Sequence, residues 1–387
     1  MNVPKLRFKE FKDEWKKAQL SSFVNINPKN DSLPEKFIYI DLESVNNGLL
    51  TSRKIINKLE APSRAQRTII KNDILYQTVR PYQMNNLFIN SLDSTYPYIA
   101  STGYALLRTE ENPYFVYSIL HQKSFVNKVL DKCTGTSYPA ISANDLGAII
   151  VGLPSIKEQE KISRTFELLD KKIELQSKKI EDLKLFKSSQ IIDFFNKNNF
   201  AEVNIKNIGF FQSGNSLSKD CLTSSGVPII LYGDLYTKYN EVIKKVEQYT
   251  NDNKKYVKSK QNQIIFPTST TVNSLSLISP SSINLDGIIY GGDILILNLS
   301  KDVNADFLSY EINHYKKKEF SKIAQGSTII HIHAEDLLNC KIALPNIVLQ
   351  NKFALTFNKL NQKIELENNK LLKLTELKKG LMQNMFV

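Results

Sequence analysis

The sequence predicts an α+β protein. Two similar domains of mixed helix and sheet are joined by two long helices forming an antiparallel coiled coil, with an internal pseudo-two-fold. Three observations lead there. Residues 135–187 and 326–378 align without a gap, with 20 identities in 53 positions. Each copy of this repeat closes on a long Lys/Glu-rich stretch that carries a narrow apolar seam and lacks Pro and Gly. Ahead of each copy, short β-favouring runs and helical patterns alternate in irregular order, which argues for α+β rather than a regular parallel winding. Two copies at a period far above about 50 residues describe a duplicated domain, not a solenoid.

The elements follow in order. Residues 1–154 make the first domain. Segments 36–42, 74–78 and 104–108 are apolar or alternating runs between Asn, Gly and Pro breaks and are expected to be strands. Phe115, Ile119, Leu120, Val126 and Leu130 recur at helical spacing, so a helix is expected over 113–132, opened by Asn112-Pro113. The first long helix covers 155–198, with Ile162, Phe166, Leu169, Ile173, Ile180 and Leu183 on its seam and Gln176 at one seam position. The second domain, 199–345, repeats the order with strands over 203–210, 228–232, 263–266, 288–290 and 294–299 and a helix over 305–322. The second long helix covers 346–387, with Phe353, Phe357, Leu360, Ile364, Leu371 and Leu374 on its seam and Glu367 aligned with Gln176.

A narrow seam with charged flanks over three heptads is a coiled-coil pattern. About 40 residues at ~1.5 Å each give a rod of roughly 60 Å. Two such seams in one chain bury each other most economically as an antiparallel pair. The alternative is that each helix packs only on its own domain.

Outside the strong repeat the halves match at anchors. Trp15, Leu20 and Phe23 lie beside Val203, Ile208 and Phe211. Asn72-Asp73-Ile74-Leu75-Tyr76 matches Asn262-Gln263-Ile264-Ile265-Phe266, and Asn112…Phe115 matches Asn304…Phe307. Between anchors they diverge, as two readers of different targets on one frame would.

Composition supports folded cores, with 42% hydrophobic residues in 387. The charge is +12, from 51 basic and 39 acidic residues. Clusters of Lys and Arg gain affinity for a polyanion by releasing phosphate counterions; the alternative is a set of solvated faces in a Lys-rich protein. Cys133, Cys221 and Cys340 are odd in number and scattered, which fits a reducing cytoplasm. No apolar run approaches the ~20 residues that span a bilayer, and residues 1–10 show no signal peptide.

Catalytic signatures are missing from the sequence. It has no G-x-x-x-x-G-K-[ST] phosphate loop and no G-x-G-x-x-G, so no catalytic residue is assigned. Asn112-Pro113-Tyr114-Phe115 superficially resembles an amino-methyltransferase loop but lacks the second Pro and opens a helix. His331-Ile332-His333 would set two imidazoles on one side of a strand, yet a metal needs a third ligand, and the first copy has Ala140 and Ser142 there. No metal site is assigned.

Candidate DNA contacts are Arg64, Arg67 and Lys71 on one loop-to-strand segment, then Thr78, Arg80, Tyr82, Gln83 and Asn85 after the strand at 74–76. The second half offers Thr268, Ser269, Thr270 and Thr271, with Lys254 and Lys255 as phosphate contacts. Ser137 and Thr328 lie in the loops of the repeat. Arg and Gln can pair with guanine and adenine edges, whereas hydroxyls and Lys mostly hold phosphates.

The run Gly135-Thr136-Ser137-Tyr138-Pro139-Ala140-Ile141-Ser142, followed by Asp145-Leu146, Leu153-Pro154, Glu158-Gln159-Glu160-Lys161-Ile162 and Leu169-Asp170-Lys171-Lys172-Ile173, resembles the specificity subunit of type I restriction-modification systems. The second copy is similar, with Gly326-Ser327-Thr328, Asp336-Leu337, Leu344-Pro345 and Gln350-Asn351-Lys352-Phe353. It lacks the Tyr-Pro and the acidic residue beside Gln350. The resemblance covers the whole chain. It implies two target-recognition domains that read a bipartite double-stranded DNA target with a fixed spacer, and helices that dock two modification (adenine methyltransferase) subunits. Restriction subunits complete the complex. S-adenosylmethionine, ATP and Mg are expected on those partners and no cofactor on this chain. Two alternatives stand beside it: the specificity portion of a fused restriction-methyltransferase, and a coiled-coil scaffold with no DNA role.

Overall fold

The computed structural model describes residues 3–29, 32–135, 137–251 and 254–387. The chain forms two compact units, one of residues 1–176 with 370–387 and the other of 177–369.

Unit 1 holds two four-stranded sheets. In one, Lys54–Asn57, Lys36–Ile40, Tyr98–Ser101 and Ala65–Ile69 lie side by side, with Tyr98–Ser101 parallel to Lys36–Ile40 and antiparallel to Ala65–Ile69. The other orders Val24–Ile26, Tyr104–Thr109, Ile74–Gln77 and Leu87–Phe88, all antiparallel. The expected single helix over 113–132 is two, Pro113–Leu120 and Lys123–Asp131. Gln122 turns extended (ψ 135°) between them, and the His121 ring Nδ1 sits 2.8 Å from the Tyr117 carbonyl. Their apolar faces close on Trp15, whose indole meets Phe115 at 5.8 Å and Phe386 at 6.2 Å, both edge-on.

Unit 2 repeats the plan. Gly209–Ser213, Ile294–Leu299, Gln263–Pro267, Ser281–Ile283 and Val242–Ile243 form a five-stranded sheet. Leu222–Thr223, Tyr249–Thr250, Val227–Ile230 and Ile289–Tyr290 form a second. The strand expected over 203–210 is interrupted by a 3-10 turn at Ile205–Asn207, leaving Glu202–Asn204 to pair with Lys341–Ala343. The helix expected over 305–322 runs as α-helix through Ala305–Tyr310, loosens into a π-turn, Glu311–Tyr315, and resumes as a short α-helix, Lys317–Phe320. There the Glu311 carboxylate reaches sideways to accept from Ala343 N–H at 2.6 Å.

The anchors of the two halves coincide in geometry. Ile74 stands opposite Leu107 just as Ile264 stands opposite Leu297. Asn72 and Asn262, both left-handed (φ 71° and 57°), turn the chain into those strands. Next to them one contact is rewritten. In unit 1 the buried Asp73 takes two hydrogen bonds at 2.8 Å from the Arg108 guanidinium, and in unit 2 Gln263 donates to Asn298 at 2.6 Å. Arg108→Asn alone strands a carboxylate that is only 1% exposed and is expected to destabilise unit 1 by about 2–4 kcal/mol, discounted from a full burial because Arg108 is partly solvated. Asp73→Gln added to it recreates the amide pair and should recover most of the loss in a denaturation double-mutant cycle; additive losses would refute the equivalence.

Each long helix opens on the same clasp. Gln159 and Gln350 are fully buried; their amides donate to the Pro154 and Pro345 carbonyls (3.0 and 2.7 Å) and accept from Asn112 N–H and Asn304 N–H (3.2 and 2.8 Å). Asn112 and Asn304 in turn cap the helices that follow them, accepting from Phe115 N–H and Phe307 N–H. So Leu-Pro, Gln and Asn, far apart in sequence, are one hydrogen-bonded junction, and Asn112-Pro113 is its cap. Arg7 braces only the first junction, through a bidentate pair with buried Glu158; Leu349 stands in the second.

The helix Ile156–Lys197 opens in unit 1 and closes in unit 2, and Ile347–Asn384 runs from unit 2 into unit 1. Within each unit the two helices run antiparallel. In unit 1, Ile162, Phe166 and Leu169 are buried, Ile173, Leu371 and Leu374 half-buried, Phe166 meets Phe386 and Lys378 pairs with Asp170 at 2.5 Å. In unit 2, Ile180, Phe353, Phe357 and Ile364 are buried, Leu183 and Leu360 half-buried, and Lys179 donates to buried Glu367 at 3.0 Å. The seam also takes in Ile191 and Phe195, which the sequence reading left out.

Candidate nucleic-acid interface

In unit 1 the chain leaving Ile74–Gln77 is sewn to two other loops. Thr78 donates twice to the Gly103 carbonyl, from N–H at 3.0 Å and Oγ1 at 2.9 Å, and its own carbonyl accepts from Ile141 N–H. Arg80 N–H donates to the Pro139 carbonyl at 2.7 Å, and Thr102 N–H donates to that of Arg64 at 2.9 Å. Arg64, the turn at Thr102-Gly103, Thr78–Arg80 and the loop bearing Ser137 thus share one edge, with Arg64 and Ser137 exposed and Thr78–Arg80 half-buried. Thr136 lies outside the described residues.

Arg80 and Met84 flank the turn Pro81–Gln83, both with left-handed backbone (φ 54° and 51°). The Arg80 guanidinium lies 4.2 Å over the Tyr138 ring. Tyr82 is exposed. Gln83 is exposed too, but its Oε1 accepts from buried Gln77 at 2.8 Å, and Asn85 Oδ1 accepts from Asn47 N–H at 3.0 Å. Those two side chains therefore brace the loop as well as face solvent.

Two of the basic candidates stand elsewhere. Lys71 lies at the opposite end of the strand Ile74–Gln77, beside Asn72, because four extended residues separate it from Thr78. Arg67 sits within the strand Ala65–Ile69, half-buried, its Nε without a hydrogen-bond partner among the described residues; burial pulls its guanidinium below the ordinary value.

Unit 2 builds the same edge from other side chains. Thr268 N–H donates to the Asp293 carbonyl at 2.9 Å, and the Thr268 carbonyl accepts from Ile332 N–H at 3.0 Å. Ser269 pairs with His331 and Thr270 with Ile330, so Thr268, Ser269 and Thr270 answer to Thr78, Val79 and Arg80. Ser269 is buried, its Oγ aimed at Asp293 at 3.3 Å, while Thr271 and Thr328 are exposed. His331 lies in the strand Ile330–His331, but His333 caps the helix Ala334–Leu338, so the two imidazoles do not share a strand. Lys254 and Lys255 are exposed on the stretch that bridges to Ile289 at Lys258 and take no part in the strand pairing at Ser269–Thr270.

Gly135 and Gly326 make both loops possible. Each is left-handed (φ 89° and 116°), and a Cβ there would meet the carbonyl oxygens of Tyr138 at 3.2 Å and Ile329 at 2.1 Å. Sequence reasoning missed Tyr138, although its place in the repeat, where the second copy has Ile329, marked it as a difference between the halves.

Comparison with known proteins decides the family. The family described as the type I restriction modification DNA specificity domain matches residues 12–185 and again 197–376. The chain belongs to this family. It is 27% identical over 194 residues to the type I restriction enzyme HindI specificity subunit of Haemophilus influenzae, a match spanning 47% of this chain and 41% of that one. With the MjaVIII specificity subunit of Methanocaldococcus jannaschii it shares 23% over 294 residues, 70% of this chain and 68% of the relative. The fold is that of the type I restriction-modification S subunit from M. genitalium (TM-score 0.61, 16% identity, covering 100% and 99% of the two chains). It is also that of a chain from a study of assembly and conformational transition in the type I system (TM-score 0.58, 19% identity, covering 95% and 96%). The two matches of the specificity domain coincide with the duplicated edges and clasps described above. Among the described residues no helix is long and apolar enough to cross a membrane.

Proposed function

We propose that this specificity-family chain reads a bipartite double-stranded DNA target in the cytoplasm, one half-site on the Thr78–Arg80 edge and the other on the Thr268–Thr271 edge. The observation that carries the reading is an edge built twice on the same backbone hydrogen bonds at Thr78 and Thr268, with different side chains after that shared threonine. Arg80 supplies paired donors to a base, and the Thr hydroxyls and outlying Lys hold phosphates. The chain itself is non-catalytic. Methylation comes from two modification subunits carrying S-adenosylmethionine, and restriction subunits bring ATP and Mg.

Docking of two like partners has support in the helices. Leu175 and Leu377 are 58% and 52% exposed in unit 1, and their repeat equivalents Leu366 and Phe186 are 61% and 55% exposed in unit 2. Each unit thus offers the same pair of solvent-facing apolar positions on its paired helices.

Mapping N6-methyladenine across the host genome tests the reading: a two-part motif that disappears on deletion of this gene is expected. Purified chain with S-adenosylmethionine alone should transfer no methyl group. A duplex-binding assay that shows no sequence preference at any salt concentration would favour the scaffold instead.

Spacer length has its own test. Four residues inserted at 176/177 and four at 369/370, where the division into units crosses the helices in sequence, add roughly 6 Å to each helix. At ~3.4 Å per base pair the recognised spacer should lengthen by one or two pairs with both half-sites unchanged. Methylation of the original spacing by that variant would refute the helices as a ruler.

A further inference from the structure

We infer that Tyr138 is a positioning residue that aims the Arg80 guanidinium at a guanine in the half-site read by unit 1. This rests on the DNA reading proposed above. Arg80 is held in a backbone conformation that L-residues rarely adopt (φ 54°), pinned on one side by its N–H to Pro139 and on the other by Gln83 N–H to its carbonyl at 3.0 Å. Strained non-glycine backbone of this kind persists only where surrounding contacts impose it, and it concentrates at binding sites. The side chain is fixed as well. Its guanidinium lies over the Tyr138 ring, and among the described residues it forms no salt bridge, so the cation is oriented without being neutralised.

Tyr138 has no core to fill. It is 63% exposed, on the far side of the left-handed Gly135 turn, and the guanidinium covers one face of its ring. The second copy loses both members together: Thr270 stands at the place of Arg80, and Ile329 at that of Tyr138. An aromatic platform is kept where there is a cation to steer and is absent where there is none. A planar guanidinium clamped on a ring presents two parallel N–H donors, which match O6 and N7 of guanine and no other base edge in the major groove. Unit 2, with hydroxyls on the corresponding edge, lacks that device.

The test is selection from a randomised duplex pool by the full chain, as wild type and as Arg80→Ala, Tyr138→Ala, Tyr138→Phe and Tyr138→Ile. Wild type is expected to select two half-sites, one containing a guanine that Arg80→Ala and Tyr138→Ala each relax by roughly 5- to 150-fold. Tyr138→Phe should retain the preference, because a phenyl face still attracts the cation. Tyr138→Ile should lose it while keeping the fold, since isoleucine occupies this loop position in the second copy. Unchanged selection by both Tyr138→Ala and Tyr138→Ile, equal relaxation of both half-sites, or a lost position that is not guanine would overturn the inference while leaving the DNA reading intact. A wild type that selects no sequence would sink the DNA reading and this inference with it.

Discussion

Lys187→Ala is expected to cost unit 2 about 3–5 kcal/mol, because it leaves a carboxylate buried without its main cation. Lys187 and Glu241 are each 9% exposed in their side chains, with Nζ 2.6 Å from Oε1; His314 Nε2 touches the same oxygen at 2.6 Å and Asn361 donates to the other at 3.2 Å. Lys187 also donates to Asn361 at 2.9 Å, tying one helix to the other. Burial by itself would push the Glu241 carboxyl up, but the hydrogen bond from His314 and the charge of Lys187 hold it well below the carboxylate range. The folded-state value is thus depressed. Its contribution to stability is present above the ordinary carboxylate value, about 4.3, and fades as pH falls below it. Hydrogen exchange should show the loss localised to Ala305–Tyr310 and the adjoining helix ends, with unit 1 unaffected. Adding Glu241→Gln should restore much of the stability by removing the stranded charge. Uniform loss across both units, or no loss, would show that the cluster does not anchor unit 2.

Glu311→Met is expected to do the reverse and stabilise unit 2, by roughly 1–3 kcal/mol at pH 8 and above, the cost of a buried ionised carboxyl less that of the Ala343 N–H left without its acceptor. Glu311 is fully buried, Oε2 has no hydrogen-bond partner among the described residues, and burial pushes its carboxyl up to about 8. A carboxyl raised in the folded state gives its full contribution below the unfolded value, about 4.3, and loses it progressively as pH rises toward 8. Wild-type unit 2 should therefore weaken across that window, and the variant should not. At the equivalent place unit 1 has Ile119, an apolar residue in the same core position. Parallel pH profiles for wild type and variant would show that the carboxyl titrates normally.

The repeat made the duplicated frame readable, because apolar spacing and Leu-Pro junctions are local signals. Phe166, Phe353 and Ile364 declared themselves by period alone. What stayed hidden depends on partners distant in sequence. Gln159 looks like an ordinary polar helix residue until Asn112 and Pro154 close around it. The break at Gln122 and the π-turn at Glu311 interrupt stretches whose apolar spacing is helical throughout, and in unit 2 the departure is coupled to the hydrogen bond with Ala343. Among the candidate contacts, Thr78 and Arg80 fall on one edge, but Lys71, which shares a segment with Arg64 in sequence, stands at the other end of a strand in space. The burial of Ser269 follows from Asp293, which no spacing rule connects to it.

The paired clasps at Gln159 and Gln350 bear on exchange between the halves. Because the two junctions share their Gln, Pro and Asn bonds, exchanging the segments 135–187 and 326–378 would keep those partners in place, while the Arg7–Glu158 pair would be lost where Leu349 replaces Glu158. The frame that joins each domain to its long helix is thus interchangeable at its Gln, Pro and Asn bonds, and the differences between the halves lie outside them.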